Sequence, residues 1–299
     1  MEIFELRYFL AVARGENVNR AAAQIGVSAG SLSKAVARLE DELQTPLFFK
    51  SGRGIRLTPE GLLLKKKAAH ILQLEEDVRL ELRGKEFGSL NVYISSEEIL
   101  QTSFGISLAK KIDGFFPKAR TQFFIRGETA AIEQVMSGEA HLALITLDPP
   151  AGAASKVLAR AEFKTCASPL HPLVKRFGTR RAIPIEEILS YPFVAPDAAI
   201  LGRIARASSI DGWRDDKFPR QIKYKVCGLK LMENLIKAGL ALGYLPDYFI
   251  ESAGLRTLRV SGCPYTCSQT VRVVTQDPTT LGWLSRLWDG LEKDAPQRS

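Results

Sequence analysis

The 299-residue chain has an ordinary globular composition, with 45% hydrophobic and 25% charged residues and a formal net charge of +8 at pH 7. No apolar run approaches the roughly 18 residues that cross a bilayer, the start lacks the core of a signal peptide, and four cysteines are too few for a disulfide framework. These features exclude a membrane-spanning or disulfide-built protein and predict a cytoplasmic protein of two or three domains.

The positive charge suggests a polyanionic partner, but its distribution weakens that inference. Residues 1–60 contain eight Lys or Arg against seven Asp or Glu, so most of the excess lies later in the chain. It includes the segment 175–181 together with Arg203, Arg206, Arg256 and Arg259. A basic surface that aids solubility is as good an explanation as a role in DNA wrapping or anion attraction.

The first three predicted helices have the pattern of a helix-turn-helix. A helix from about Glu2 to Arg14 supplies core residues, and a second helix ends near Gly26. The third helix begins with Ser28 as its N-cap. Its predicted core residues are Leu32, Val36, Leu39 and Leu43; its opposite face, predicted to enter a DNA major groove, carries Ala29, Gly30, Ser31, Ser33, Lys34 and Arg38.

A basic hairpin is predicted directly after these helices. The segment PLFFKSGRGIRLTPEG predicts an extended run, a Gly-rich turn at 51–54, a short strand at 55–57 and a new helix N-cap at Thr58. Lys50, Arg53 and Arg56 would then hold DNA phosphates beside the groove. For residues 17–50, the alternative to a helix-turn-helix is an ordinary helical hairpin in some other kind of protein.

Four segments, LRYFLAVA, NRAAAQIGVS, SLSKAVARLEDEL and PLFFKSGRGIRLTPEG, resemble the N-terminus of the LysR-type transcriptional regulators. The resemblance is strong over about the first sixty residues and architectural beyond them. It implies a winged helix-turn-helix at 1–58, a linker and dimerisation helix at 59–88 and an effector-binding domain at 89–299. The implied partners are double-stranded DNA, a small-molecule effector such as a carboxylate, and a second copy of the chain in a homodimer or homotetramer.

Three positions depart from that family's pattern. Ala29 stands where Gln is common and cannot hydrogen-bond a base edge, so sequence reading must depend on Ser33, Lys34 or DNA shape. Gln44 replaces a usual Gly. Lys50 replaces a usual Arg, which keeps the charge but loses the bidentate fork.

A long helix is predicted from Thr58 to about residue 87. Its apolar residues fall at alternating steps of four and three if Glu75 is counted in register, a period that suits pairing with another helix. Packing on its own domain is the alternative. The predicted seam consists of Leu64, Ala68, Ile71, Val78 and Leu82.

From residue 89 onward, strands alternate with helices, which predicts an α/β architecture with largely parallel sheets. By resemblance this region is similar to a two-lobed periplasmic-binding-protein fold. Lobe 1 would comprise about 90–162 and 268–299, and lobe 2 about 163–267. The two hinge strands would lie near 158–163 and 270–274, and a C-terminal helix with core tryptophans would return to lobe 1.

Candidate effector-binding residues follow the predicted strands, where free backbone N–H groups and small hydroxyl side chains meet. For each hydroxyl, a helix cap is an equal alternative. The resemblance favours Ser95, Ser96 and Thr129, whose donors would bind the oxygens of a small carboxylate. The full set is Ser95, Ser96, Gly127, Thr129, Thr146, Ser168, Pro196 and Cys227.

Catalysis is not expected. His70, His141 and His171 are isolated from one another and from cysteines, and neither a phosphate loop nor a nucleophile elbow is present. We therefore expect no enzyme activity, no metal site and no cofactor. Two alternatives remain: a thiol-based redox sensor using Cys263 and Cys267, and a small-molecule-binding protein without specific DNA recognition.

Overall fold

The computed structural model describes residues 1–52, 54–83, 90–178, 181–202 and 209–291. Predictions for Arg53, Arg203 and Arg206, for residues 84–88 of the linker and for the tail beyond 291 lie outside these ranges. The N-terminal region consists of α1 (Ile3–Gly15), α2 (Val18–Ile25), α3 (Ala29–Leu43), the hairpin β1 (Phe48–Ser51) with β2 (Gly54–Leu57), and the long helix α4 (Pro59–Arg83).

The predicted core of the first three helices is confirmed except at its last residue. Leu32, Val36 and Leu39 of α3 are buried, as are Leu6, Phe9, Leu10 and Ala13 of α1. Leu43 is instead 39% exposed, because α3 ends there and the chain turns away at Gln44. Gln44 has φ +51°, a left-handed conformation that favours glycine, and its side-chain Nε2 donates to Asp41 O at 2.6 Å.

The predicted seam of α4 divides into two parts. Leu64, Ala68 and Ile71 pack against the N-terminal core with α1, so the first half of the predicted pairing seam is intramolecular. Val78 and Leu82 are 53% and 82% exposed. Together with Leu74, they form an apolar stripe at steps of four residues on the distal half of the helix.

The C-terminal region alternates strands and helices, as predicted. Lobe 1 contains β3 (Asn91–Ser96), α5 (Glu98–Phe115), β4 (Arg120–Ile125), α6 (Glu128–Met136), β5 (Leu142–Ile145) and α11 (Gly282–Gly290). The strands β6 (Ala154–Ala167) and β13 (Ser268–Thr275) run between the lobes. The remaining elements are α7 (Pro172–Phe177), β7 (Ile183–Pro184), α8 (Ile185–Leu189), β8 (Pro192–Pro196), β9 (Gln221–Val226), α9 (Leu229–Lys237), β10 (Gly243–Pro246), α10 (Asp247–Ser252), β11 (Arg256–Thr257) and β12 (Val260–Ser261).

One mixed sheet runs through both lobes in the order β10-β6-β13-β5-β3-β4, with β11 also paired to β6. In it, β3 is parallel to β4 and β5, but β13 is antiparallel to β5 and β6, and β10 is antiparallel to β6. The expectation of largely parallel sheets was therefore wrong at the hinge, because β13 brings the chain back against the direction of β6. The predicted core tryptophans, Trp283 and Trp288 of α11, are buried.

Candidate functional site

The turn between α2 and α3 is built by local capping. The Asn17 side chain accepts from the Arg20 backbone N at 2.9 Å and begins α2. Gly26 has φ +71° at the turn, and Ser28 Oγ accepts from the Ser31 backbone N at 3.0 Å to begin α3. The N-caps fix the start of each helix, so the exposed face of α3 has a defined orientation.

The face of α3 opposite its core projects into solvent. Gly30, Ser33 and Lys34 are exposed, and Ala29 is half-buried. Lys34 forms no hydrogen bond or ion pair with the described residues. The Ser31 hydroxyl lies 2.8 Å from Ser28 Oγ and thus takes part in the cap. The first two turns of α3 therefore offer small side chains and one cation, a shape that fits a major groove.

Arg38 has a second possible role. Its guanidinium pairs with Glu5 of α1 at 3.1 Å and lies 5.6 Å from the centroid of the Phe4 ring. Contact with a DNA phosphate would require part of this pairing to be released. In this structure Arg38 therefore helps to hold α3 on α1.

The two described basic residues of the hairpin lie on opposite faces. Lys50 is paired with Ile55 and Arg56 with Phe49 in the β1–β2 register. Ile55 packs on the helical core, whereas Phe49 is 50% exposed. Lys50 is therefore on the face nearest the helices, and Arg56 is on the outer face of the wing.

Two glutamates that the sequence analysis missed fasten this wing. Glu40 Oε1 accepts from the backbone N of Leu47 at 2.7 Å and of Phe48 at 3.1 Å. Glu16 Oε1 accepts from Leu57 N at 3.3 Å. Because both carboxylates satisfy backbone donors at the ends of β1 and β2, they set the position of the wing beside α3.

The carboxyl ends of β3, β4 and β5, where α5 and α6 begin, face the second lobe, and we call this region the cleft. Ser95 and Ser96 are fully buried there. Ser95 Oγ donates to Gln134 Oε1 at 2.8 Å, and Ser96 Oγ donates to the Glu97 carbonyl at 3.3 Å. Both hydroxyls thus already have acceptors within lobe 1.

Glu128 occupies the next strand end. Its carboxylate accepts from Thr146 N at 2.9 Å, from Thr146 Oγ1 at 2.6 Å and from Leu147 N at 3.1 Å. Glu128 is the first residue of α6, after the N-cap Gly127, and Thr129 beside it is exposed. A carboxylate of the chain therefore takes the donors that a bound anion would use at this end of the sheet.

Residues 3–62 match the family described as "Bacterial regulatory helix-turn-helix protein, lysR family", and residues 93–291 match "LysR substrate binding domain". The chain belongs to the LysR family. It is therefore a DNA-binding transcriptional regulator with an effector-binding domain, as the sequence resemblance implied.

Relatives and solved structures agree with this assignment. The HTH-type transcriptional regulator BudR of Klebsiella aerogenes is 36% identical over 149 residues, which are 49% of this chain and 94% of that protein. A full-length OxyR variant from Pseudomonas aeruginosa has a TM-score of 0.67 at 19% identity, over 98% of this chain and 95% of that one. CbnR complexed with its target DNA has a TM-score of 0.60 at 18% identity, over 98% and 99% of the two chains. At these identities the two structures show the fold alone.

In this LysR-family chain, the segment of lobe 2 that follows β8 faces lobe 1 across the cleft. A Cβ atom placed on Gly202 would lie 2.9 Å from Thr146 Oγ1 and 3.2 Å from Glu128 Oε1, so the lobes touch at this glycine. Gln269 Nε2 donates to Leu201 O at 3.1 Å from the hinge strand. Pro196 ends β8 and Cys227 directly follows β9 on this side of lobe 2.

Ser168 was predicted to bind the effector, but it lies at the end of lobe 2 that is far from the cleft. Phe163 of β6 pairs with Pro246, and Cys166 pairs with Gly243, so β6 runs away from the hinge. Ser168 follows the end of β6, roughly 16 Å from Phe163 at about 3.3 Å per residue. The prediction assumed that β6 is parallel to its neighbours and ends at the cleft. Because β6 is antiparallel to β10, it ends at the opposite edge of the sheet. Ser168 is buried and its Oγ accepts from Leu170 N at 3.3 Å.

Glu97 is a cleft residue whose carboxyl group has a raised pKa. It is the half-buried N-cap residue of α5, and its pKa is raised to about 7, first by burial and then by the nearby Glu128 carboxylate. The Glu128 backbone N–H opposes the shift by hydrogen bonding the ionised form. Lobe 1 therefore presents two carboxyl groups at the cleft, and neither was among the predicted site residues.

Glu97→Gln is expected to change the pH dependence of stability. A carboxyl group whose pKa is raised on folding stabilises the fold when protonated, and this contribution is lost as pH rises from about 4.5 to about 7. The variant should therefore be more stable than the parent at pH 8, by on the order of 1 kcal/mol after allowance for solvent screening. Thermal unfolding across this range measures the difference. Glu98→Gln, one residue along α5, is the control, and an equal effect of both changes would contradict the assignment.

Burial suppresses the reactive form of two described side chains, Cys267 and His141. Cys166, Cys227, Cys263 and Cys267 are all free thiols. Burial raises the pKa of Cys267 to about 11, which suppresses its thiolate, so redox sensing is not favoured. Burial lowers the pKa of His141 to about 3, and its Nδ1 accepts from Tyr93 N at 2.9 Å. Within the described ranges, no His, Cys, Asp and Glu side chains group into a metal site, and no helix has the length and apolarity to cross a membrane.

Proposed function

We propose that this LysR-family regulator binds a specific operator through the first turns of α3, with its wing on the flanking phosphates. The observation that carries this proposal is the exposed face around Ser33 and Lys34, which is held in place by the Ser28 cap and flanked by Lys50 and Arg56. Ser33 and Lys34 would contact bases, and the wing cations would contact phosphates. The neighbour CbnR was solved on its target DNA, which supports the same use of this fold.

The unit of binding would be a dimer or a dimer of dimers in the cytoplasm. The exposed stripe of Leu74, Val78 and Leu82 on α4 supports helix pairing beyond the segment that packs on α1. The proposed domains are 1–58, 59–88 and 89–299. The relatives are named as transcriptional regulators, and we propose that this chain likewise has no enzyme activity.

The effector site would be the cleft between the lobes, and its chemistry favours a ligand that donates hydrogen bonds. Glu97 and Glu128 stand at the N-termini of α5 and α6, where a carboxylate ligand would otherwise bind. A second anion there would meet like charge, whereas an amine or amidine would meet an acceptor. We therefore propose a cationic or neutral effector in place of the small carboxylate of the sequence analysis.

The route from the cleft to DNA would pass through α4, which contacts lobe 1. Asp77 is buried, and its Oδ2 and Oδ1 accept from Gly282 N at 3.0 Å and Trp283 N at 3.4 Å. It thereby caps α11, whose own N-cap residue Leu281 makes no side-chain cap bond. Gln73 Nε2 donates to Gly138 O at 2.7 Å on the same face of α4. Movement of lobe 1 would consequently move α4.

Asp77→Ala is expected to uncouple the lobes from the DNA-binding domain. Loss of the cap leaves two backbone donors of α11 unsatisfied and should cost about 1 kcal/mol of local stability. Faster hydrogen exchange at the Gly282 and Trp283 amides would report the undocking. The isosteric Asp77→Asn keeps an acceptor and should behave nearer to the parent, and Asp113→Ala on α5 is the exposed control. Unchanged exchange in Asp77→Ala would contradict this route.

The decisive experiment on the proposed function is selection of DNA from a random-sequence pool by the purified chain. Enrichment of an interrupted palindrome is expected, since two recognition helices related by a two-fold axis read inverted half-sites. The selection is repeated with small amines and with small carboxylates. Salt-sensitive binding without sequence preference would overturn the operator proposal.

A further inference from the structure

A cavity lies on the opposite face of the hinge from the interlobe cleft. Ser268 and Gln269 are consecutive residues of β13, so their side chains point to opposite sides of the strand. Gln269 is on the cleft side, where Tyr248 Oη donates to it at 2.7 Å. Ser268 lines the cavity, together with Cys267. We call this cavity the rear site.

The rear site consists of two adjoining concavities of about 280 Å³ each. Five aromatic residues are among its lining residues. Trp213 and Tyr244 meet edge to face with centroids 5.0 Å apart, and Phe218 and Tyr265 lie 6.0 Å apart. Such walls accept the flat face of another ring. The two concavities share Trp213, Tyr244, Cys263, Tyr265 and Thr266.

The polar groups of the rear site are cations, thiols and hydroxyl groups. The Tyr244 hydroxyl oxygen accepts from Cys267 N at 3.3 Å, which leaves its hydrogen to donate. Arg214 lies 4.6 Å from the Tyr265 ring centroid while it is bonded to Asp216 outside the lining. Lys164, which pairs with Glu162 next to the lining, and Arg259 complete the rim, and no carboxylate is among the described lining residues. The lining thus favours negative charge, the opposite of the interlobe cleft.

We propose that the rear site binds a planar aromatic anion of about two fused rings. The ring system would lie among Trp213, Tyr244 and Tyr265, and the anionic group would face the Tyr244 hydroxyl and the rim cations. The size follows from the two concavities and their shared wall. This inference does not depend on the proposed DNA function or on the effector of the cleft.

Its position would give such a ligand influence over the lobes. Phe163 N donates to Cys267 O at 2.8 Å, so the two chain crossings between the lobes are joined at the wall of the rear site. Phe163 and Cys267 both line it. An occupant would therefore touch both hinge strands at once and restrain their relative movement.

The test uses the thiols of the full chain as reporters and 2-naphthoate as the probe. Cys263 and Cys267 line the rear site, whereas Cys227 is exposed at the cleft end of β9. Alkylation by iodoacetamide at mildly alkaline pH is followed at each cysteine by mass spectrometry. We expect the probe to slow alkylation of Cys263 about fourfold at roughly three times its Kd and to leave Cys227 unchanged.

A matched pair of variants and two analogues complete the test. Tyr265→Ala should abolish the protection, whereas Phe115→Ala, which removes a similarly exposed ring from lobe 1, should retain it. 2-Naphthylmethylamine and cyclohexanecarboxylate should each protect far less than 2-naphthoate. The proposal is overturned if Cys263 is unprotected, if Cys227 alone is protected, if protection survives Tyr265→Ala, or if either analogue protects equally.

Discussion

Replacing Lys34 with alanine is expected to weaken binding to the selected operator by roughly 5- to 150-fold, equivalent to about 1–3 kcal/mol. Binding to random DNA should fall far less. Lys34 is the cation on the exposed face of the first two turns of α3, and none of the described residues holds it by a hydrogen bond or ion pair. A base contact made by this residue would be lost only on the sequence that supplies the matching acceptor.

The Arg56→Ala variant tests for a phosphate contact, whereas Lys34→Ala tests for a base contact. Because Arg56 is on the outer face of the wing, its loss should weaken operator and random DNA alike and reduce the salt slope by about one. Lys118→Ala removes the same charge from an exposed position in lobe 1 and is the control. Titrations of both DNAs at several salt concentrations measure all three variants. Equal losses on both DNAs for Lys34→Ala would show that the recognition face lies elsewhere.

Arg220→Ala should produce the largest loss of stability, about 3–5 kcal/mol. The Arg220 and Asp211 side chains are each 1% exposed and are joined at 2.7 Å, and Asp215 pairs with the same guanidinium at 2.8 Å. The guanidinium also lies 5.0 Å from the Trp213 ring centroid. Its removal would leave Asp211 buried and uncompensated beneath the loop that carries Trp213.

A more exposed ion pair, Arg214 with Asp216, is the control for the Arg220 prediction. Arg214 pairs with Asp216 at 2.6 Å, but their side chains are 33% and 42% exposed. Water screens this pair, so Arg214→Ala should lower the free energy of unfolding far less than Arg220→Ala does. Urea unfolding of both variants measures the difference. Similar losses would mean that burial of the Arg220 pair contributes little.

The helix-turn-helix was predictable from the sequence because its signals are local. The step of four and three residues in α3 gave its buried face, and Ser28 and Gly26 gave the cap and the turn. The alternation of strands and helices after residue 89 was local in the same sense. Each of these features depends on residues within a few turns of one another.

The roles of individual site residues depended on contacts between distant segments. The register of β1 with β2 separated Lys50 from Arg56, and the antiparallel pairing of β6 moved Ser168 to the far end of lobe 2. Three of the five residues in the predicted α4 seam pack against the core that contains α1. The sequence of a helix does not show which other helix will cover its apolar face.

The sequence by itself determined the order of the elements and the exposed face of α3, because hydrophobic period and capping act within one helix or strand. The family followed from the resemblance of the N-terminal segments. Only the tertiary structure decided the charge at the two cavities of the effector domain. Glu97 and Glu128 come together at the cleft, and the cations and rings of the rear site come together across the hinge, through strand pairings between residues far apart in the chain. Charge at a site is a sum over neighbours in space, and those neighbours are not adjacent in sequence.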